Sequence, residues 1–255
     1  MLDLYHWEPH GASARVLIAL EEKGLPFTGH YVDVLAFEHH RPQFLKLDAN
    51  GRVPILVHDE VPYTDATAVC EYLEEAFEDA ALMPQEPAGR WQVRAWQKYV
   101  DDAFAASVSE LAWDAYGARA LAALPPDALR AAIERIPARE QREAWSAAVA
   151  GLGAEPLARA RDRVTAAIRK IEAALGEAAW LAGPRYSLAD IAVFSYFKYL
   201  PALCPALLSE AAAPRALSWM RAVEARPGVR AALARGRAAD AFAVAAPGPE
   251  QVRWG

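Results

Sequence analysis

The stretch Leu47-Asp48-Ala49-Asn50-Gly51-Arg52-Val53-Pro54-Ile55-Leu56-Val57, followed by Tyr63-Thr64-Asp65-Ala66-Thr67-Ala68-Val69, decides the fold. It reads as an Asn-Gly turn, a short apolar strand with a proline near its start, a second short strand and a helix start. Proline removes one ladder donor, so this strand must offer its free backbone groups to something else. A cis Val53-Pro54 bond would turn the Val53 main chain outward, where it could pair with an extended peptide. Asp65-Ala66-Thr67 opens a helix whose first N–H groups lack internal partners and suit a carboxylate. A strand edge beside a helix start is a candidate site for a small anionic peptide.

Toward the N-terminus, Leu2 to Tyr5 reads as a strand. Ser13 to Lys23 reads as a helix with Val16, Leu17 and Leu20 on one face and Gly24 as its stop, and Phe27 to Val34 as a second strand. That order predicts a parallel pair with a right-handed crossover. Phe37 to Leu47 is irregular or weakly helical, and a helix is expected from about Asp65 to Phe77. The order βαβ then ββα is that of a thioredoxin-like domain, placed at residues 1–80. Pro84, Pro87 and Gly89 mark a linker over 78–89, since neither proline suits a helix interior.

Beyond Gly89 the sequence is helical, and an all-α domain is expected over 89–240. Trp96, Tyr99, Val100, Ala103 and Phe104 follow the spacing of a buried helix face. Leu157 to Leu175 reads as a long Ala- and Arg-rich helix. Ser187-Leu188-Ala189-Asp190 is a capping-box pattern whose role is folding rather than chemistry. The tail from Ala238 is expected to be extended and poorly ordered.

A net charge of −6 offers no basic surplus to neutralise phosphates, which argues against a nucleic-acid partner. No apolar run suits a membrane span, no secretory leader is visible, and the cytoplasm is the expected compartment. Cys70 and Cys204 cannot build a disulfide framework and read as buried reduced thiols.

"DANGRVPIL…YTDATAVCEYLEE" resembles the glutathione-site signature of the glutathione S-transferase superfamily, and "YSLADIA" resembles the N-capping box of that superfamily's buried C-terminal core helix. The resemblance implies a thioredoxin-like domain holding glutathione as co-substrate, a helical domain receiving a small aromatic or apolar electrophile, and a homodimer. The loop His6 to Ser13 would carry the thiol activator. Ser13 is its only hydroxyl and the first choice, with a plain helix cap as its structural alternative and His10 as runner-up. The loop has no cysteine, which disfavours reductase chemistry.

The same resemblance assigns His40 and Arg52 to the glycyl carboxylate of glutathione and the Val53 main chain to its backbone. Asp65 would meet the γ-glutamyl ammonium and the Ala66 N–H the γ-glutamyl carboxylate. His39-His40 is not accompanied by further ligands at a metal-site spacing, so no metal is expected. Trp113, Tyr116 and Trp145 are expected to line an aromatic substrate cleft. "FEHHRPQFLKLDANGRVPILVHDE", "RAWQKYVDDAF" and the long aromatic-rich insert between Gly117 and Gly153 further resemble the bacterial lignin β-aryl etherases within the superfamily. A non-catalytic carrier of hydrophobic ligands and a glutathione-dependent isomerase remain the alternatives.

Overall fold

A computed structural model describes residues 1–117, 121 and 124–237. The N-terminal part contains β1 (Leu2–His6), α1 (Gly11–Glu22), β2 (Thr28–Tyr31), a 3₁₀ turn at Glu38–His40, β3 (Ile55–His58), β4 (Val61–Thr64) and α2 (Ala66–Ala76). The strands lie in the order β2-β1-β3-β4. β1 and β2 are parallel, as the βαβ reading requires, and the other pairs are antiparallel. This is the expected thioredoxin-like domain. The registers His6↔Tyr31, Tyr5↔Ile55 and Ile55↔Thr64 fix its functional end. The loop after β1, the segment after β2, the approach to β3 and the start of α2 all leave the sheet there.

The linker is shorter than expected. Pro87 is the first residue of α3 (Pro87–Tyr99), where its missing N–H would have had no partner anyway. A π-helical turn at Val100–Phe104 joins α3 to α4 (Ala105–Ala112), and a second follows at Trp113–Gly117. The remaining described helices are α5 (Pro126–Glu134), α6 (Arg139–Ala150), α7 (Ala154–Glu177), α8 (Leu188–Phe197), the single turn α9 (Leu200–Leu203), α10 (Pro214–Glu224) and α11 (Pro227–Leu233). The tail from Ala238 lies outside the described residues. Among the described residues no helix is long and apolar enough to cross a membrane.

Every residue of α8 is buried, so this helix is apolar on all sides and forms the centre of the helical domain. Its capping box is complete. The Ser187 N–H donates to Asp190 Oδ2 at 3.0 Å and the Ala189 N–H to Ser187 Oγ at 3.3 Å. Asp190 Oδ1 also accepts from the Leu181 N–H at 3.0 Å and from the Trp219 indole at 2.8 Å. Burial pushes the Asp190 carboxyl above its ordinary range despite these donors. The residue ties α8 to α10 and to the preceding turn.

Two apolar clusters divide the core. One packs α1 and α2 against α3, α4, α7 and α8. The other joins Trp7, Phe37, Phe44, Val53 and Ile55 to Trp113 and to Leu129, Ile136 and Trp145 of the insert. A polar triangle links the domains between them. Arg15 of α1, whose side chain is 1% exposed, pairs with Asp101 at 2.5 Å. Arg15 also donates to the Thr67 hydroxyl, which donates to Asp101 at 2.6 Å. Burial would lower the guanidinium's pKa, but Asp101 outweighs it and holds the charge.

Asp190→Ala leaves four buried donor contacts without their acceptor, and its unfolding free energy in urea is expected to fall by about 3 kcal/mol. A loss below about 1 kcal/mol would contradict this role.

Candidate active site

The loop after β1 turns sharply into α1. Gly11 has φ +53°, and a Cβ there would sit 3.2 Å from the Tyr196 ring, so both conformation and space favour glycine. α1 begins at Gly11 with His10 as N-cap, and His10 makes no side-chain capping bond. Ser13 is therefore the third helical residue rather than the cap expected as its structural alternative. It is 4% exposed, and its Oγ accepts from the Trp7 N–H at 3.2 Å. An oxygen already accepting in this way keeps its own O–H for another acceptor, beside the positive end of a twelve-residue helix. His10 is buried edge-on to Trp7 at 5.0 Å and Tyr199 at 5.9 Å between ring centroids.

The Val53-Pro54 bond is cis. Val53 makes no backbone hydrogen bond among the described residues, while Ile55 is already in the ladder. The approach to β3 thus presents a donor and an acceptor at the functional end of the sheet. Before it, the Asn-Gly turn is clamped from within. Arg52 Nε donates to Asp48 Oδ2 at 3.0 Å, Arg52 Nη2 to Asp48 Oδ1 at 3.2 Å, and the Arg52 N–H to Asp48 Oδ2 at 2.8 Å. Burial raises the Asp48 carboxyl, but these donors overcome it and hold it below the usual carboxylate range. Gly51, at φ +65°, has no room for a Cβ: it would lie 2.7 Å from both His39 O and His40 Nδ1. This packing brings His40 against the turn that carries Arg52.

Asp65 occupies φ 71° and ψ 116°, outside the regions comfortable for a side-chain-bearing residue. Such an outlier in a well-packed element commonly marks a functional position. Its carboxylate accepts from the Ala68 N–H at 2.9 Å. The Ala66 and Thr67 N–H groups make no hydrogen bond among the described residues, so the start of α2 keeps two donors for an anion. Ser13, His40, Arg52, Val53, Asp65 and Ala66 are thus gathered at one end of one sheet.

The aromatic expectation needs correction. Trp145 has no exposed surface, lying 4.7 Å from Phe37 and 5.5 Å from Trp113 between centroids. Trp113 is 4% exposed and its indole donates to the Ala148 carbonyl at 2.8 Å. These rings do not line an open cleft; they fasten the insert onto the segment after β2. Gln141 of the same insert donates to the Asn50 carbonyl at 2.8 Å. Tyr116 is half-buried and keeps its candidacy. Residues missed from sequence are Arg15, Thr67 and Asp101, which link α1 and the start of α2 to the π-helical turn of Val100–Phe104. Tyr196 packs against Gly11, and burial pushes its hydroxyl up to about 12. No group of three or more potential metal ligands occurs among the described residues. Burial pushes the Cys70 thiol up to about 12, so it remains an inert core thiol.

Two family models match the chain: "Glutathione S-transferase, N-terminal domain" over residues 12–76 and "Glutathione S-transferase, C-terminal domain" over residues 142–227. The chain is 32% identical over 236 residues to Protein LigF of Sphingobium sp. strain SYK-6, an alignment covering 90% of this chain and 91% of LigF. The chain belongs to the glutathione S-transferase superfamily, whose co-substrate is glutathione. The crystal structure of that LigF, described as a beta-etherase, superposes with TM-score 0.87 at 31% identity, covering 92% of this chain and 99% of LigF. Glutathione S-transferase 1 of Dianthus caryophyllus is 42% identical over 85 residues, covering 33% of this chain and 38% of the plant protein. A glutathione transferase homologue from Sulfitobacter with bound glutathione shares the fold at TM-score 0.62 and 24% identity, over 91% of this chain and 96% of that one.

The Asp48–Arg52 clamp gives a pH signature. A carboxyl held low in the fold contributes stability above its unfolded pKa, near about 3.9, and loses it as pH falls through the folded value. Asp48→Asn is expected to be less stable than wild type at pH 7 by about 1 kcal/mol, and the gap to close on acidification below about pH 4. Urea unfolding across pH 2.5–7 measures this; a gap independent of pH would refute it.

Proposed function

We propose that the chain catalyses attack of glutathione thiolate on a small aromatic electrophile, with β-aryl ether cleavage as the specific reaction. The observation that carries the specific reading is the likeness to LigF, which runs through both domains and the insert. In this reading the tripeptide lies extended along Val53. Its glycyl carboxylate is near His40 and the Nη1 edge of Arg52, and its γ-glutamyl end lies between Asp65 and the N–H groups of Ala66 and Thr67. Ser13 donates its O–H to the sulfur. A thiol with a pKa near about 8.5 is mostly protonated at neutral pH, and a hydroxyl donor with the positive end of α1 favours the thiolate.

For a β-aryl ether the sulfur forms a bond to the β-carbon as that carbon's bond to the phenolic oxygen breaks. The electron pair leaves on the phenolate, which takes up the proton released by the thiol. Tyr116 is the proposed aromatic contact; Trp113 and Trp145 support the insert behind it. A homodimer belongs to the same proposal, with Trp91, 69% exposed, and Val61, 51% exposed, as candidate contact residues. The isomerase alternative draws on a Rhizobium meliloti maleylacetoacetate isomerase that is 38% identical but matches only 36% of this chain. No feature of the site favours a non-catalytic carrier.

Incubation with glutathione and a guaiacyl β-aryl ether is expected to release guaiacol with a stoichiometric thioether product. Ser13→Ala is expected to lower kcat at pH 7 by about a hundredfold, with the KM for glutathione within about threefold of wild type. Turnover of general aromatic electrophiles without phenol release would remove the ether-cleaving reading alone. An unchanged kcat in Ser13→Ala would remove Ser13 as activator.

A further inference from the structure

The loop that places Ser13 is held from outside as well as from within. Glu8 follows Trp7, whose N–H donates to Ser13 Oγ. The Glu8 side chain is 3% exposed, and a carboxyl buried to that degree needs donors. Its Oε1 accepts from the Tyr31 hydroxyl at 2.5 Å and from the Arg237 N–H at 3.0 Å, and its Oε2 from the same N–H at 3.2 Å. Tyr31 stays protonated as that donor, because burial and the Glu8 contact both raise its pKa. The Glu8 carbonyl accepts from the His10 N–H at 2.7 Å, and the Pro9 carbonyl from the Tyr199 hydroxyl at 3.3 Å.

The partner segment lies more than two hundred residues away in sequence. After α11 the chain crosses back over the N-terminal domain, fixed by a row of contacts. The Arg235 guanidinium lies over the Phe27 ring at 4.2 Å, and its Nε donates to Glu21 at 2.7 Å. The Arg237 guanidinium lies over the Tyr31 ring at 4.4 Å. Gly236 passes so close that a Cβ would sit 2.7 Å from Glu8 Oε2 and 3.1 Å from Pro9 Cδ. Neither the Pro9 ring nor a strap pinned on both sides of Gly236 can yield freely.

We infer that Glu8 is a positioning residue for the thiol-activating loop, through which residues 235–237 set the aim of the Ser13 hydroxyl. Trp7 N–H and Glu8 are adjacent along the chain, so a shift at Glu8 turns the peptide that orients Ser13 Oγ. The C-terminal strap thereby acts on catalysis without touching either substrate. The inference rests on the Ser13 reading proposed above.

The test compares full-length Glu8→Ala, Glu8→Gln, Gly236→Val and Ser13→Ala. Each is checked for native circular dichroism and assayed for kcat, KM for glutathione and the pH profile of kcat. Glu8→Ala and Gly236→Val are each expected to raise the apparent thiol pKa by about one unit and lower kcat at neutral pH about tenfold, with the KM for glutathione within about twofold. Glu8→Gln, which retains an acceptor for the Arg237 N–H, is expected to recover most of the lost rate. The inference is overturned if Glu8→Ala and Gly236→Val leave the pH profile in place, or change only the KM for glutathione. It is equally overturned if Glu8→Ala loses native structure while Gly236→Val folds and keeps the wild-type profile. If Ser13→Ala alone shifts the profile, the strap inference fails and the Ser13 reading stands. If Ser13→Ala shifts nothing, the Ser13 reading fails, and the strap's aim on that hydroxyl fails with it.

Discussion

An unpaired stretch of backbone at Val53, held at the end of a four-stranded sheet between two helix N-termini, is the constraint on which the rest of the structure depends. Proline at position 54 takes one donor out of the ladder, and Val53 before it makes no backbone hydrogen bond among the described residues. Backbone groups left at a sheet edge pair with any extended chain of suitable length. Such recognition is indifferent to side chains, so selectivity must come from both ends of the peptide. In the proposed binding mode one end faces the Asp48–Arg52 clamp and His40, and the other faces Asp65 and the start of α2.

The helical domain completes this arrangement rather than merely adjoining it. Arg15, Thr67 and Asp101 lock the starts of α1 and α2 to the π-helical turn of Val100–Phe104, so the two helix ends keep a fixed separation. A buried ion pair contributes modestly to net stability, but breaking it strands a charge, which makes it a good specifier of geometry. Trp145 and Gln141 of the insert perform a parallel service for the segment after β2 and for Asn50. The two domains therefore meet around the proposed glutathione site.

Much of this was legible in the sequence because its signals are local. The Asn-Gly turn, Pro54, the Asp65 helix start and the Ser187–Asp190 box each depend on residues within a few positions of one another, and each falls where the pattern places it. Pro87 was misread because a proline that forbids a helix interior equally suits a helix's first residue. Trp113 and Trp145 were misread because an aromatic ring in sequence does not reveal whether it faces solvent or another ring. The Arg15–Asp101 pair spans 86 positions and the Glu8–Arg237 bond 229, and no periodicity reports contacts of that range. The role of Ser13 stood on its place near the helix start. The structure moves that start to Gly11 and gives its oxygen the Trp7 N–H instead of the cap.

The central claim is that the co-substrate is held by main chain at residue 53 and by the start of α2. Backbone amide NMR of ¹⁵N-labelled protein titrated with glutathione tests it directly. The account predicts that the Val53, Ala66 and Thr67 amides move together along one saturating isotherm, with the Arg52 side-chain signals. A titration in which glutathione perturbs only residues of the helical domain, or none, would contradict it.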